Sequence, residues 1–208
     1  MEAVMDRQLI LRMGTQEDIP ALSLLFDMAN FGDVKRIWTE EAKEGESWLD
    51  ICRRRMMETA GEIYFGKAVV AQVDGNVAGA LFFFNYTPPE SFPDISGMPL
   101  YLRIFAEMRT QMKAGVLLRD IGVFPEYRGM RLATKMIDAA INTGVAAGLR
   151  YINVIVHDSN ILQHEHYYKR GFNVVFKSLV INHVYFKPDS YWYLLILDTQ
   201  RPDTDPAN

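Results

Sequence analysis

The segment 126–136, EYRGMRLATKM, puts Arg128 and Arg131 on either side of Gly129. The run before it reads as a strand and the run after it as a helix. The first amides of a helix have no carbonyl partner, and the helix dipole adds partial positive charge there, so such a junction is an anion site. Gly129 would let a diphosphate approach without a Cβ in the way. Arg128 and Arg131 would add charge-assisted bonds. Two readings stand side by side: a phosphate-binding turn, or an ordinary helix start carrying two solvated arginines. Cations at a helix N-terminus oppose the dipole, which favours an anion partner. The fingerprint GxGxxG is absent. GMRLATK is not the end of a P-loop either, because Thr134 stands where that motif has glycine.

A second constellation lies further on. Asn160, His164, Tyr167 and Gly171 follow i, i+4, i+7 and i+11, so on a helix they share one face. Asn160 reads equally as an N-cap or as a ligand contact, and Tyr168 as a packing residue. The triplet HEH at 164–166 invites a metal reading. Its two histidines point to different sides of a helix and HExxH is missing, so no metal is expected. Cys52 sits among apolar residues at helical spacing and reads as inert core. Arg53, Arg54 and Arg55 read as a solvated stretch, and Met108 and Met112 as packing.

The elements that must hold these residues follow from pattern. A strand over 8–14 precedes a helix with Thr15 as N-cap. A helical region covers 39–62, with an interruption near Gly45. Two β-rich runs within 67–86 flank Asp74-Gly75-Asn76, a hairpin turn. A Pro-rich loop from 87 leads to a helix on which Leu100, Ile104, Met108 and Met112 recur every four residues. Then come a strand (116–124), a helix with Leu132, Met136, Ala140 and Val145 near one face, a strand (151–157), a helix ending at Gly171, and β-rich segments at 172–186 and 190–198. This is a mixed α/β pattern. Its βαβ unit at 116–157 needs parallel strands, and ligands of such units sit at the strands' carboxyl ends, where the turn 124–131 lies. A single domain over 1–198 is expected, with a disordered tail at 199–208.

Composition narrows the function. The 22 basic and 26 acidic residues leave a net charge of −4, which gives no basic field for nucleic acid or an anionic membrane. No run reaches the length of a membrane span, and the N-terminus lacks a signal pattern. One cysteine excludes an internal disulfide framework. A cytoplasmic protein is expected.

DIGVFPEYRGMRLATKMI resembles the acyl-CoA-binding motif of the GNAT superfamily of N-acyltransferases, whose turn reads [RQ]-x-x-G-x-[GA]. Arg128 meets the first position and Ala133 the last, while Arg131 replaces the central glycine. Asn160, Tyr167, Gly171 and Phe172 meet the spacing of the family's second signature, and QLILRMGTQEDIPALSLLF resembles its first strand and helix. The resemblance spans about 8–198, with 87–115 longer than usual. It implies a GNAT-like fold: a central mixed, mostly antiparallel seven-stranded sheet, splayed between its fourth and fifth strands, with helices on both faces. It implies acetyl-CoA as the acyl donor. Its pantetheine would lie along Ile121, Gly122 and Val123. Its diphosphate would rest on Arg128, Gly129, Met130, Arg131, Leu132, Ala133 and Thr134, with Asn160 and Tyr167 as further contacts. The implied reaction is direct transfer of an acetyl group to a primary amine of a small molecule or peptide. Such a transfer needs a base for the ammonium proton and an acid for the departing thiolate. Tyr167 is the family-matched acid, and Asp120 and His157 are the candidate bases. Asp120 could instead pair with a neighbouring cation, and His157 could cap a strand end. The insertion at 87–115 would form a wall or lid for the acceptor, and edge-strand pairing would make a homodimer. The alternative is a non-catalytic acyl-CoA-binding regulatory or interaction module.

Overall fold

The computed structural model describes residues 7–92, 94–98, 100–180, 187 and 189–200. The chain forms β1 (Leu9–Met13), α1 (Ile19–Ala29), α2 (Asp33–Glu41), α3 (Trp48–Met57), β2 (Ala68–Val73), β3 (Asn76–Tyr86), α4 (Leu100–Gln111), β4 (Gly115–Val123), α5 (Leu132–Ala146), β5 (Tyr151–His157), α6 (Ile161–Tyr168), β6 (Asn173–Leu179) and β7 (Tyr191–Asp198). The strands make one seven-stranded, mostly antiparallel sheet in the order β1-β2-β3-β4-β5-β7-β6. β4 and β5 are parallel, and their ladder runs only from Gly115↔Tyr151 to Leu118↔Val154, although both strands continue past it. The expected fold class is therefore the observed one.

The chain divides into two compact units. The first comprises Met1–Phe84 and Arg119–Ala140. Its core joins Leu22, Leu25 and Phe26 of α1, Val34 and Trp38 of α2, and Ile51, Cys52 and Met56 of α3 to Val70, Ala80 and Phe82 of the sheet. The hairpin turns at Asp74 and Gly75, whose φ of 49° and 83° suit a tight turn between twisted strands. The region 39–62 is broken at Gly45, which has φ 80°. Ser47 and Asp50 then cap α3 reciprocally. Gly122 has a packing reason: a Cβ there would meet the Leu25 carbonyl oxygen at 2.8 Å, so only glycine lets α1 lie this close to β4. Leu132, Met136 and Ala140 are buried on α5 as expected. Val145 is 49% exposed, because drift around the helix carries it off the buried face.

The second unit comprises Asn85–Leu118 and Ile141–Asn208. Ile104, Met108 and Met112 are buried, as the four-residue spacing requires. The α4–β4 connection is tied down by buried Asn153. Its amide donates to the Lys113 and Val116 carbonyls, and its oxygen accepts the Lys113 N–H. Asn153 thus has its main polar groups satisfied without water. β6 runs over Asn173–Leu179; the part of the expected segment at 181–186, and residues 201–208, lie outside the described residues. No helix among the described residues is long and apolar enough to cross a membrane.

Candidate active site

In the first unit β4 leads through a single turn of 3-10 helix, Pro125–Tyr127, into the junction before α5. The Phe124 N–H donates to the Ala78 carbonyl at 2.9 Å, which anchors the start of that turn to β3. Gly129 has φ 83° and nothing within 4 Å of where a Cβ would stand. Arg131 has φ 59°. It takes the left-handed conformation natural to glycine, at a cost of about 1–2 kcal/mol for an L-residue. The family's central glycine thereby gains a physical reason, namely the backbone dihedral. The Lys135 N–H donates to the Arg131 carbonyl at 3.1 Å, so Arg131 caps α5. The amides of Leu132, Ala133 and Thr134 then precede the first intrahelical bond.

The arginines of this junction differ from those elsewhere in the unit. Arg12 holds Asp18 through two nitrogens, at 2.6 and 2.8 Å. Arg53, Arg54 and Arg55 pair with Asp50, Glu46 and Glu41. Arg128, Arg131 and Lys135 are exposed, and none of them pairs with a carboxylate among the described residues. Cations without a carboxylate partner among the described residues, left-handed backbone and helix-start amides thus coincide, an arrangement suited to an anion such as a diphosphate.

Asp120 lies in the same unit, on β4, with its side chain 11% exposed. Asn30, just past α1, donates from Nδ2 to Asp120 Oδ1 at 2.9 Å. Arg119 Nε stands 2.8 Å from Oδ2, and Arg119 also pairs with Glu62. Burial pushes the Asp120 carboxyl above its ordinary range; Arg119 and Asn30 oppose that push without cancelling it. Asp120 therefore does pair with a neighbouring cation, one of its two sequence readings, and burial nonetheless raises its proton affinity. Asn30 and Glu62 escaped sequence reasoning, since 90 residues separate Asn30 from Asp120 and no local pattern joins them.

In the second unit β5 ends at His157, which is 2% exposed. The Ser159 N–H donates to His157 Nδ1 at 3.1 Å. Nδ1 is thus an acceptor, and the neutral ring carries its proton on Nε2. Asn160 occupies the N-cap position of α6, but its side chain makes no capping bond. His164 Nε2 lies 3.0 Å from the His157 carbonyl, to which it donates. Tyr167 is 1% exposed and packs edge-on against Phe172, at 5.1 Å between ring centroids. Burial raises its phenol above the ordinary value. Tyr168, expected to be a packing residue, is 48% exposed because it lies one helical step off the buried face. It lines a cleft with Asp158, His164 and Tyr193. Asp158 was not singled out from sequence, although a polar DSN turn after a strand is a place where ligand groups gather.

The remaining readings also find their places. Cys52 is buried and its thiol is pushed up to about 11 by burial. No cluster of three or more His, Cys, Asp or Glu suited to a metal occurs among the described residues.

No curated protein matches the chain. Solved structures match it in fold. A Drosophila melanogaster polyamine N-acetyltransferase that forms N-acetylagmatine is 12% identical, with a TM-score of 0.63 over 92% of this chain and 100% of that one. A mosquito arylalkylamine N-acetyltransferase-like protein is 13% identical, with a TM-score of 0.64 over 92% and 100%. An N-acetyltransferase from Staphylococcus aureus Mu50 is 15% identical, with a TM-score of 0.61 over 92% and 98%. At such identities these likenesses speak for the fold. The family model for the acetyltransferase (GNAT) family matches residues 32–172, a span that includes both the 128–134 turn and the Asn160–Phe172 signature. The chain belongs to the GNAT family of acetyltransferases.

Proposed function

We propose that this protein is an N-acetyltransferase that moves an acetyl group directly from acetyl-CoA to a primary amine of a small molecule or peptide. The observation that carries the reading is the 128–134 junction, with cations that have no carboxylate partner among the described residues, its left-handed Gly129 and Arg131, and its helix-start amides. In this reading residues 128–134 hold the diphosphate and Ile121, Gly122 and Val123 offer backbone to the pantetheine arm. When bound, the donor supplies an acetyl group already activated as a thioester. The protein's own task is then proton management. An ammonium must lose a proton before nitrogen can bond to the acetyl carbon, and the sulfur needs a proton as the carbon–sulfur bond breaks.

Asp120 is the better base candidate. Burial raises its proton affinity, whereas the neutral His157 ring already carries a proton on Nε2 and its Nδ1 accepts from Ser159. His157 then serves to orient the 157–160 turn. Tyr167 is the acid: its raised phenol stays protonated at neutral pH and can donate to a thiolate. Asn160, with no capping bond, is free to contact the donor. The insertion at 87–115 would border the acceptor, and its deletion should change acceptor kinetics while leaving CoA affinity intact.

The alternative, an acyl-CoA-binding module without turnover, is favoured by one observation: Asp120, His157 and Tyr167 are all largely buried. A thiol-release assay with mixed amines separates the two. CoA release with acetylated amine supports the enzyme. Acetyl-CoA binding with no release across a broad amine panel would leave the module.

A further inference from the structure

The cleft in the second unit has a chemistry of its own. It is lined by Asp158, His164, Tyr168 and Tyr193, with a volume near 220 Å³. The lining has a carboxylate and two phenol rings, and no fixed positive charge. His164 Nε2 donates to the His157 carbonyl at 3.0 Å, so of the two neutral tautomers the one present is that with Nδ1 as the acceptor. Its ring meets Tyr193 edge-on at 5.2 Å and lies 5.9 Å from Tyr168. Asp158 Oδ2 accepts the Tyr191 N–H at 2.7 Å, which fixes the carboxylate. Its Oδ1 lies 3.3 Å from His157 Nδ1, a nitrogen that already accepts from Ser159. Two acceptors thus lie close together, an arrangement that a nearby cation stabilises. The adjoining tyrosine already receives one: Lys177 Nζ sits over the Tyr191 ring at 4.3 Å from its centroid, and Tyr191 and Tyr193 are neighbours at 6.3 Å.

We infer that this cleft binds an alkylammonium group. Asp158 provides the counter-charge, the faces of Tyr168 and Tyr193 provide cation–π contact, and His164 Nδ1 accepts an N–H. The cation could come from the acetyl acceptor itself or from a second amine that is not acetylated. The first case rests on the proposed acetyl transfer; the cleft's preference for a cation does not.

The test is an NMR titration of the full chain at pH 7 with n-butylamine, which is then cationic, and n-butanol, a neutral molecule of the same length. Butylammonium should bind about tenfold more tightly than butanol. Asp158→Asn keeps the size and an acceptor for Tyr191, and should reduce that preference to about threefold or less. Tyr168→Ala, at an exposed position, should weaken butylammonium by about threefold. Equal affinities in the native protein would overturn the inference, as would an unchanged preference in both variants. Acetylated butylamine, with its KM raised in Asp158→Asn, identifies the acceptor. Butylammonium that binds at the cleft without being acetylated identifies a separate ligand. Loss of CoA binding by the native protein would bear on the proposed function and leave the cation preference standing.

Discussion

Two strand-to-helix junctions follow the parallel strands, and they are built in opposite ways. The β4–α5 junction is exposed, carries two left-handed residues in three, and presents arginines that hold no carboxylate among the described residues. The β5–α6 junction is largely inward-facing: His157 is 2% exposed, its Nδ1 is occupied by Ser159, and the Asp158 carboxylate is fixed by Tyr191. The first has donors waiting for an anion. The second holds His157 Nδ1 and the Asp158 carboxylate with its own backbone N–H groups, and opens onto the cleft beside it. The two junctions thus differ in what they leave unsatisfied, and Asp120 and His157 differ in what surrounds them.

The sharpest way to break this comparison is at the proton-transfer groups. Asp120→Asn should lower kcat by about 10²- to 10⁴-fold. In the native enzyme the rate should rise with pH as Asp120 deprotonates, at a pH above the ordinary carboxylate range because burial raises it. The Asp120→Asn variant should lose that acidic limb altogether, since an amide does not titrate there. His157→Gln should leave the limb in place; a limb lost with His157 rather than Asp120 would reverse the assignment. Next in size, Tyr167→Phe should reduce turnover by about tenfold or more with little change in CoA affinity. An unchanged rate removes it as the acid.

Smaller effects sharpen the backbone half. Arg131→Gly removes left-handed strain but adds chain entropy in the unfolded state. Its net effect on stability, read by urea denaturation, should lie within about 1 kcal/mol of zero. The same change should weaken CoA and flatten its salt dependence if the guanidinium reaches a phosphate. Asp18 is a scaffold control in the first unit. Its carboxyl is held low, chiefly by Arg12 and then by Thr15. The contribution to stability is therefore present above the ordinary carboxylate pKa and lost as pH falls through the lowered folded value. Asp18→Asn should cost about 2 kcal/mol at neutral pH and leave CoA binding untouched.

Much of the fold was legible in the sequence because its signals are local. Alternation and the Asp74-Gly75 turn gave the hairpin, and four-residue spacing gave the buried face of α4. The α5 pattern was right for Leu132, Met136 and Ala140 and failed at Val145, where small angular errors accumulate along a helix. The position of the β4–α5 turn was legible too, but the φ of Arg131 was not. An arginine carries no local signal for left-handed backbone, and tertiary anchoring of the turn decides it. The Asp120 partners Asn30, Arg119 and Glu62 show the other limit. Arg119 is adjacent in sequence, while Asn30 and Glu62 come from distant segments that only folding brings together.

The central claim is that the 128–134 junction holds the diphosphate of CoA. Calorimetry with CoA and with pantetheine, which lacks the diphosphate, tests it in the native protein and in Arg128→Ala/Arg131→Ala. The account predicts that the native protein favours CoA over pantetheine by about 100-fold, and that the double variant loses most of that advantage along with much of its salt dependence. An equal preference for CoA in both proteins would contradict it.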